Sequence, residues 1–353
     1  MTTKTTLFLA LPLLALAGCD TSSAGQPEER VEGAATTAPA DGATSAADSV
    51  EIREWAVPWE RSRPRDPDVG PDGRVWFVGQ AGNYVAVLDP RSGQFRRFEL
   101  ADGVHPHNLI VGRDGTVWYA GNQAAHIGRM DPSTGDVRVI DMPDPNAADP
   151  HTLVFGSDGR IWFTVQQGAF VGRLDPSSER VQLVKMPAGS RPYGIVPDER
   201  GGAWAVLFGT NRIVHLDSSL ATRDYDLPAA EARPRRLARA SDGAVWYVDH
   251  ARGTLGRLDP RSGQVREWPT PGGSGSRPYA MTMDDADRAW FVETGAQPNR
   301  LVGFDPGTER FFSATDVPSG GGTVRHMIWH APTRSIWFGT DANTVGRATI
   351  PGG

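Results

Sequence analysis

The chain has 353 residues, a formal net charge of −6 and one cysteine. Those values exclude a basic nucleic-acid-binding domain, an internal disulfide and a cysteine-based zinc cluster. Glycine and proline number 41 and 28, too many for a helical bundle and suited to short strands joined by tight turns.

In chain order, residues 1–18 carry Lys4, an apolar run from Leu7 to Leu16 and then small residues. This reads as a secretory signal, too short to cross a bilayer as a helix. It ends in Leu16-Ala17-Gly18-Cys19, which resembles a bacterial lipobox, so Cys19 is the expected lipidation site. Residues 20–49 are mostly Ala, Thr, Ser, Gly, Asp and Glu. Such a stretch buries too little apolar surface to offset chain entropy and is expected to be a disordered tether. The expected layout is a signal peptide over 1–18, lipidated Cys19 with its tether over 19–49, and one folded domain over 50–353. This places the protein in a bacterial cell envelope, on the periplasmic or another extracytoplasmic side, held to the membrane by lipid alone.

From residue 50 onward the chain repeats itself. Trp76, Trp118, Trp162, Trp204, Trp246, Trp290 and Trp337 recur at steps of 42 to 47 residues. Four of them close the words Asp72-Gly73-Arg74-Val75-Trp76, Asp114-Gly115-Thr116-Val117-Trp118, Asp158-Gly159-Arg160-Ile161-Trp162 and Asp242-Gly243-Ala244-Val245-Trp246. Each Asp-Gly signals a hairpin turn leading into a β-branched and aromatic strand. A second turn follows at Asp89-Pro90, Asp131-Pro132, Asp175-Pro176, Asp259-Pro260 and Asp305-Pro306. Four short strands per repeat, repeated seven times, predict an all-β fold, a seven-bladed β-propeller with four-stranded blades. The seventh repeat runs out after three strands. Ile52-Arg53-Glu54-Trp55-Ala56-Val57-Pro58 parallels Val265-Arg266-Glu267-Trp268-Pro269-Thr270-Pro271, so the N-terminal strand is expected to close the last blade and remove its exposed edge.

The repeat also marks a surface. Eleven residues before each tryptophan stand Arg65, His107, His151, Tyr193, Arg235, Tyr279 and His326. Sevenfold repetition places them in a ring at one mouth of the central channel, and all seven are large and able to bind anions or move protons. The tryptophans themselves read as core between blades. His105 and His107 flank Pro106 and offer two nitrogens toward a metal, with no evident third ligand. Asp249-His250 is a weaker loop pair.

The wording Pro-His-x-Leu/Ile, then Asp-Gly-x-Val/Ile-Trp-Phe, then Val/Ile-Gly-Arg-Leu-Asp-Pro resembles the virginiamycin B lyase (streptogramin lyase) family across all seven repeats. The resemblance implies linearisation of a cyclic depsipeptide antibiotic by elimination at its ester, with a histidine base and Mg2+. His326 matches the proton-abstracting histidine. Asp341 matches a carboxylate metal ligand, whereas Val324 stands where a second one is expected. Tyr279 replaces a substrate-binding histidine and Arg65 an aromatic residue. Glu293 could add a carboxylate from the neighbouring blade.

Three readings stay open. One is a carbon–oxygen lyase with His326 as base, Asp341 or Glu293 beside it, and Tyr279, Tyr193, His151 or His107 binding substrate. Another is a polysaccharide or uronate lyase in which Arg65 and Arg235 neutralise an acid. The third is a non-catalytic propeller, tethered to the envelope, that binds a ligand or protein. The expected partner is a small molecule or oligosaccharide, not nucleic acid, and the expected state is a monomer. For the anchor, Cys19→Ala is expected to move the protein from the membrane fraction to the soluble one and to abolish lipid labelling.

Overall fold

The computed structural model describes residues 50–351 and the backbone of Ala35–Thr37. The signal segment, Cys19 and the rest of the expected tether lie outside the described residues. Seven four-stranded antiparallel sheets follow one another along the chain. The first blade starts at Pro64–Val69, and the next five start at Pro106–Val111, Pro150–Phe155, Pro192–Pro197, Pro234–Arg239 and Pro278–Met283. The seventh holds Met327–His330, Ser335–Gly339 and Thr344–Thr349, with Glu51–Ala56 as its fourth strand. Helix is confined, among the described residues, to the single turns Gly273–Gly275 and Ala331–Thr333. Ala35–Thr37, inside the expected tether, pairs in parallel with Val265–Glu267 at the outer edge of the fifth blade.

The recurring words have direct physical causes. Gly73, Gly115, Gly159 and Gly243 take φ between 79° and 87°, the left-handed region that an Asp-Gly hairpin needs. The Asp-Pro turns close through the carboxylate, as when Asp131 Oδ1 accepts Ser133 N–H at 2.8 Å. The Gly of the Val/Ile-Gly-Arg word answers a packing demand. A Cβ at Gly128, Gly172 or Gly256 would lie 2.1 Å from the ring of Tyr119, Phe163 or Tyr247 on the neighbouring strand.

All seven tryptophans are buried, each 5% exposed or less. They join adjacent blades: Trp246 packs with Met281 and Phe291 of the sixth blade, Trp162 with Ile195 and Ala205 of the fourth. Closure at the seventh blade follows the expected register, with Ile52 opposite Ala348 and Glu54 opposite Gly346. Trp55 stacks on Trp337 at 5.5 Å and 24°, matching Trp268 on Trp246 at 5.4 Å and 20°.

Because Trp55 fills the gap between the last and first blades, Trp55→Ala is expected to cost about 3–5 kcal/mol of unfolding free energy. Val139→Ala, at the half-exposed outer surface, is expected to stay within about 0.5 kcal/mol. Urea denaturation of the two variants checks both.

Candidate functional site

Six of the seven inner strands open on proline, whose fixed φ and missing N–H suit a strand's first residue. In all six the pairing register then slips across the next two or three residues, between Arg65 and Asp68, Pro106 and Leu109, Pro150 and Leu153, Pro192 and Ile195, Pro234 and Arg236, and Pro278 and Met281. These are β-bulges, which suspend strict alternation and re-aim side chains. As a result, two successive residues of several inner strands serve the channel, and two polar layers form where one ring was expected.

The first layer holds the expected ring. His107 and His151 pack with ring centroids 3.6 Å apart, His151 and Tyr193 at 4.2 Å, Tyr193 and Tyr279 at 6.1 Å. The two tyrosine hydroxyls hydrogen-bond to each other. Arg235 Nη1 donates to Tyr279 Oη at 3.2 Å, with its guanidinium 3.7 Å over Phe208. Arg65 Nη1 donates to Gln80 Oε1 at 3.0 Å. Arg65, His107, His151, Tyr193 and Tyr279 are buried, so the ring packs the channel mouth instead of lining an open one.

The second layer was missed from the sequence. Asp66, buried in the channel, accepts from Asn108 Nδ2 at 3.1 Å and Arg236 Nη2 at 3.4 Å, and lies 3.6 Å from Arg65 Nε. Arg236 also donates to Thr152 Oγ1 and to the Arg325 carbonyl, each at 3.1 Å. A signal was present. Pro64-Arg65-Asp66, Pro106-His107-Asn108, Pro150-His151-Thr152 and Pro234-Arg235-Arg236 each place two polar residues in succession, which an alternating strand would not bury together.

His326 lies within electrostatic reach of Arg236 and Asp66 of this second layer and of Arg65. Its Nδ1 is buried without a hydrogen-bond partner among the described residues. The ring also forms part of the wall of a cavity of about 500 Å³ at the opposite end of the channel, where the inner strands finish. That well is walled by Leu153, Ile195, Leu237, Met281 and Ile328, with Asp68 and Arg236 among its polar residues.

Charge in the channel is unbalanced toward positive. Burial alone would raise the Asp66 carboxyl, but His326, Arg65, Arg236 and His151 outweigh it and hold Asp66 at about 2. Burial, with Arg236 and Arg65, lowers His326 to about 4 against the opposing pull of Asp66. Burial and the same arginines push His107 and His151 well below the ordinary imidazole range. For Tyr193, burial is overcome by Arg65, Arg236 and Arg235, and its hydroxyl is lowered, whereas burial and Tyr193 raise Tyr279. Burial outweighs hydrogen bonds from Val111 and Val69 and raises Asp68 to about 6.

The residues matched to metal ligands do not fit Mg2+. Asp341 is engaged by two guanidiniums, Arg325 and Arg63. Glu293 is buried against Arg300, 2.9 Å from its Nε, and the Gly272 N–H at 2.7 Å. Val324 is fully buried and apolar. No three His, Cys, Asp or Glu side chains converge on a possible ion among the described residues. The charged groups acting on His326 are Arg236, Asp66 and Arg65, not Asp341 or Glu293. His105 turns away from His107 to Gln80 O at 3.1 Å, and Asp249 holds the loop N–H groups of Arg233 and Ala251.

Seven closed blades around a packed polar axis define a seven-bladed β-propeller with a channel site. The profile of the Virginiamycin B lyase family matches residues 50–348, and the chain belongs to that family. A virginiamycin B lyase of Nocardia farcinica (strain IFM 10152) is 32% identical over 102 residues, 29% of this chain and 34% of that protein. The match thus spans about a third of that relative's length. Selenomethionine-substituted virginiamycin B lyase from Staphylococcus aureus superposes with a TM-score of 0.77 at 23% identity, covering 86% of this chain and 100% of that one. A catalytically inactive form of the S. aureus enzyme with quinupristin gives the same TM-score of 0.77 and 23% identity, again over 86% and 100%. At these identities the superpositions establish the fold.

His107, His151 and His326 are all neutral in the folded state near pH 7. An unfolded imidazole near 6.5 takes up a proton that the folded site refuses, so the unfolded state binds more protons below that pH. Stability is therefore expected to fall as pH drops from about 6.5 toward about 4. Urea midpoints across that range should decline less steeply in His326→Gln than in the wild type.

Proposed function

We propose that this chain is a carbon–oxygen lyase of the streptogramin-lyase kind, working without a metal, with His326 as its base. The observation that carries this reading is a neutral histidine, its Nδ1 buried and unpartnered, at a residue that lines a cavity of about 500 Å³. That volume suits a small-molecule ligand. Membership of the Virginiamycin B lyase family supports the reaction class proposed, elimination at the ester of a cyclic depsipeptide.

In that reaction His326 removes a proton from the carbon next to a carbonyl. The electron pair forms a carbon–carbon double bond as the ester C–O bond breaks, and the carboxylate leaves, opening the ring. The proton passes from the imidazolium to solvent, and no water is consumed. Burial, then Arg236 and Arg65, depress the basicity of His326, and the positive field of the two arginines favours negative charge developing on the substrate. Tyr279, Tyr193, His151 and His107 form the packed layer beyond this base, a binding wall whose rings reach substrate only if the layer opens.

The uronate-lyase reading is supported less, because Arg65 and Arg235 are already engaged within the ring. The binding-propeller reading draws support from that packed layer and from the guanidinium-bound Asp341. The lipobox-like ending at Cys19 supports an extracytoplasmic protein held by lipid, and no helix among the described residues is long and apolar enough to cross a membrane.

With quinupristin as substrate, purified protein is expected to release the linearised product. His326→Ala should reduce kcat/KM by roughly 10²–10⁴-fold, while EDTA should leave the rate within about two-fold, because Val324 and the guanidinium-bound Asp341 offer Mg2+ no free carboxylate. The low-pH limb of kcat/KM should fall near pH 4, where His326 becomes protonated. Quinupristin bound without turnover would favour the non-catalytic reading.

A further inference from the structure

The fourth blade departs from the repeat at two positions that meet in space. Arg129, Arg173 and Arg257 each stand opposite the blade tryptophan on the third strand, whereas the fourth blade has His215 opposite Trp204. Where Gly70, Gly112 and Gly156 lie six residues before the tryptophan, the fourth blade has Asp198. His215 Nε2 and Asp198 Oδ2 are 2.6 Å apart, and the imidazole lies against Trp204 with ring centroids 4.4 Å apart. Both residues line a cleft of about 480 Å³ between the fourth and fifth blades, outside the central channel.

The same cleft is walled by guanidiniums with too few carboxylates. Asp242 is taken by Arg257 at 2.6 Å, Asp198 by His215, and Asp259 lies 3.7 Å from Arg261 Nε. Arg239 has one carboxylate within reach, Glu199 at 3.5 Å, which is 76% exposed. Arg223 has no carboxylate partner among the described residues and lies 5.0 Å over Tyr225. The Nε atoms of Arg223 and Arg239 are both buried without an acceptor. A buried donor left without an acceptor is costly, and a planar guanidinium matches a carboxylate or phosphate through paired hydrogen bonds. The cleft's volume falls in the range of small-molecule sites.

We propose that this cleft binds a small organic oxyanion, a carboxylate or phosphate on a compact polar body, with the anion on Arg223 and Arg239 and His215 beside it. The site is separate from the channel and stands whether or not His326 is a base. Restoring the repeat residue with His215→Arg would set a guanidinium against Asp198 and fill the cleft from within.

The test is calorimetric titration of the full chain with glucuronate, glucose 6-phosphate and neutral glucose. At least one anion is expected to bind below about 1 mM, a modest affinity for a preformed charged site, and glucose is expected not to bind. Which anion binds tells carboxylate from phosphate. Arg223→Gln combined with Arg239→Gln should weaken binding at least tenfold, and His215→Arg should do the same, each with the thermal melting of the wild type. Binding of neither anion overturns the proposal, as does glucose binding as tightly as they do. Wild-type affinity in the folded double variant overturns it equally, and if that variant fails to fold, His215→Arg decides by the same criterion.

Discussion

Ring closure is the constraint on which everything else depends. A propeller blade exposes two sheet faces and an inner edge, and it becomes stable only when neighbours cover the faces. Seven apolar clusters join successive blades, and the one linking last to first is built from Trp55, Val57, Phe77, Trp337 and Val345. Trp55 of that joint comes from a strand nearly three hundred residues distant from its partner. Side-chain hydrogen bonds reinforce it: Asn343 Nδ2 donates to the Val57 and Trp59 carbonyls at 3.1 and 2.9 Å, and its Oδ1 accepts from Ser62 N–H at 3.1 Å. With the circle closed, every inner strand points its first residues at the axis, and the channel chemistry follows from that.

The radial plan was legible because each repeat restates the same turn, strand and tryptophan. Spacing alone located the blades, and the likeness of Ile52–Pro58 to Val265–Pro271 located the missing strand. The ring at eleven residues before each tryptophan was also placed at the axis. The bulges were not seen, because they arise where crowded inner strands meet, a tertiary condition that spacing does not record. Strict alternation would have turned Asp66, Asn108, Thr152 and Arg236 away from the axis; the register shifts turn them inward, where Asp66 is 1% exposed. The same oversight made the ring look like an open mouth. Two polar layers leave less room than one, and the first packs shut through His107, His151, Tyr193 and Tyr279.

Asp66 explains how so much charge is tolerated on the axis. A buried ion is costly unless it is paired and hydrogen-bonded. Asp66 receives Asn108 and Arg236 directly and lies beside Arg65. One carboxylate between two guanidiniums leaves a net positive charge, and nearby imidazoles respond by staying neutral. His326, His107 and His151 are held neutral first by burial and then by the field of these arginines. This couples the two layers electrostatically even where their side chains do not touch.

The same excess charge bears on which cation the site could accept. Mg2+ requires oxygen ligands with negative charge to spare. Here Val324 offers none, and Asp341 already faces Arg325 and Arg63. A valine at one position and guanidiniums on the carboxylate at the other are consistent features, since each denies a divalent ion the negative charge it needs and the second adds fixed positive charge. A guanidinium stays protonated at any pH the protein survives and, unlike a bound ion, cannot dissociate from the site. It can oppose a developing anion but cannot polarise a carbonyl as strongly as a directly bound ion. In the proposed reaction, an imidazole lowered to about 4 by burial and by the same arginines would act on a proton made acidic by its neighbouring carbonyl. The elimination proposed for this channel would therefore draw its charge stabilisation from the protein's own side chains.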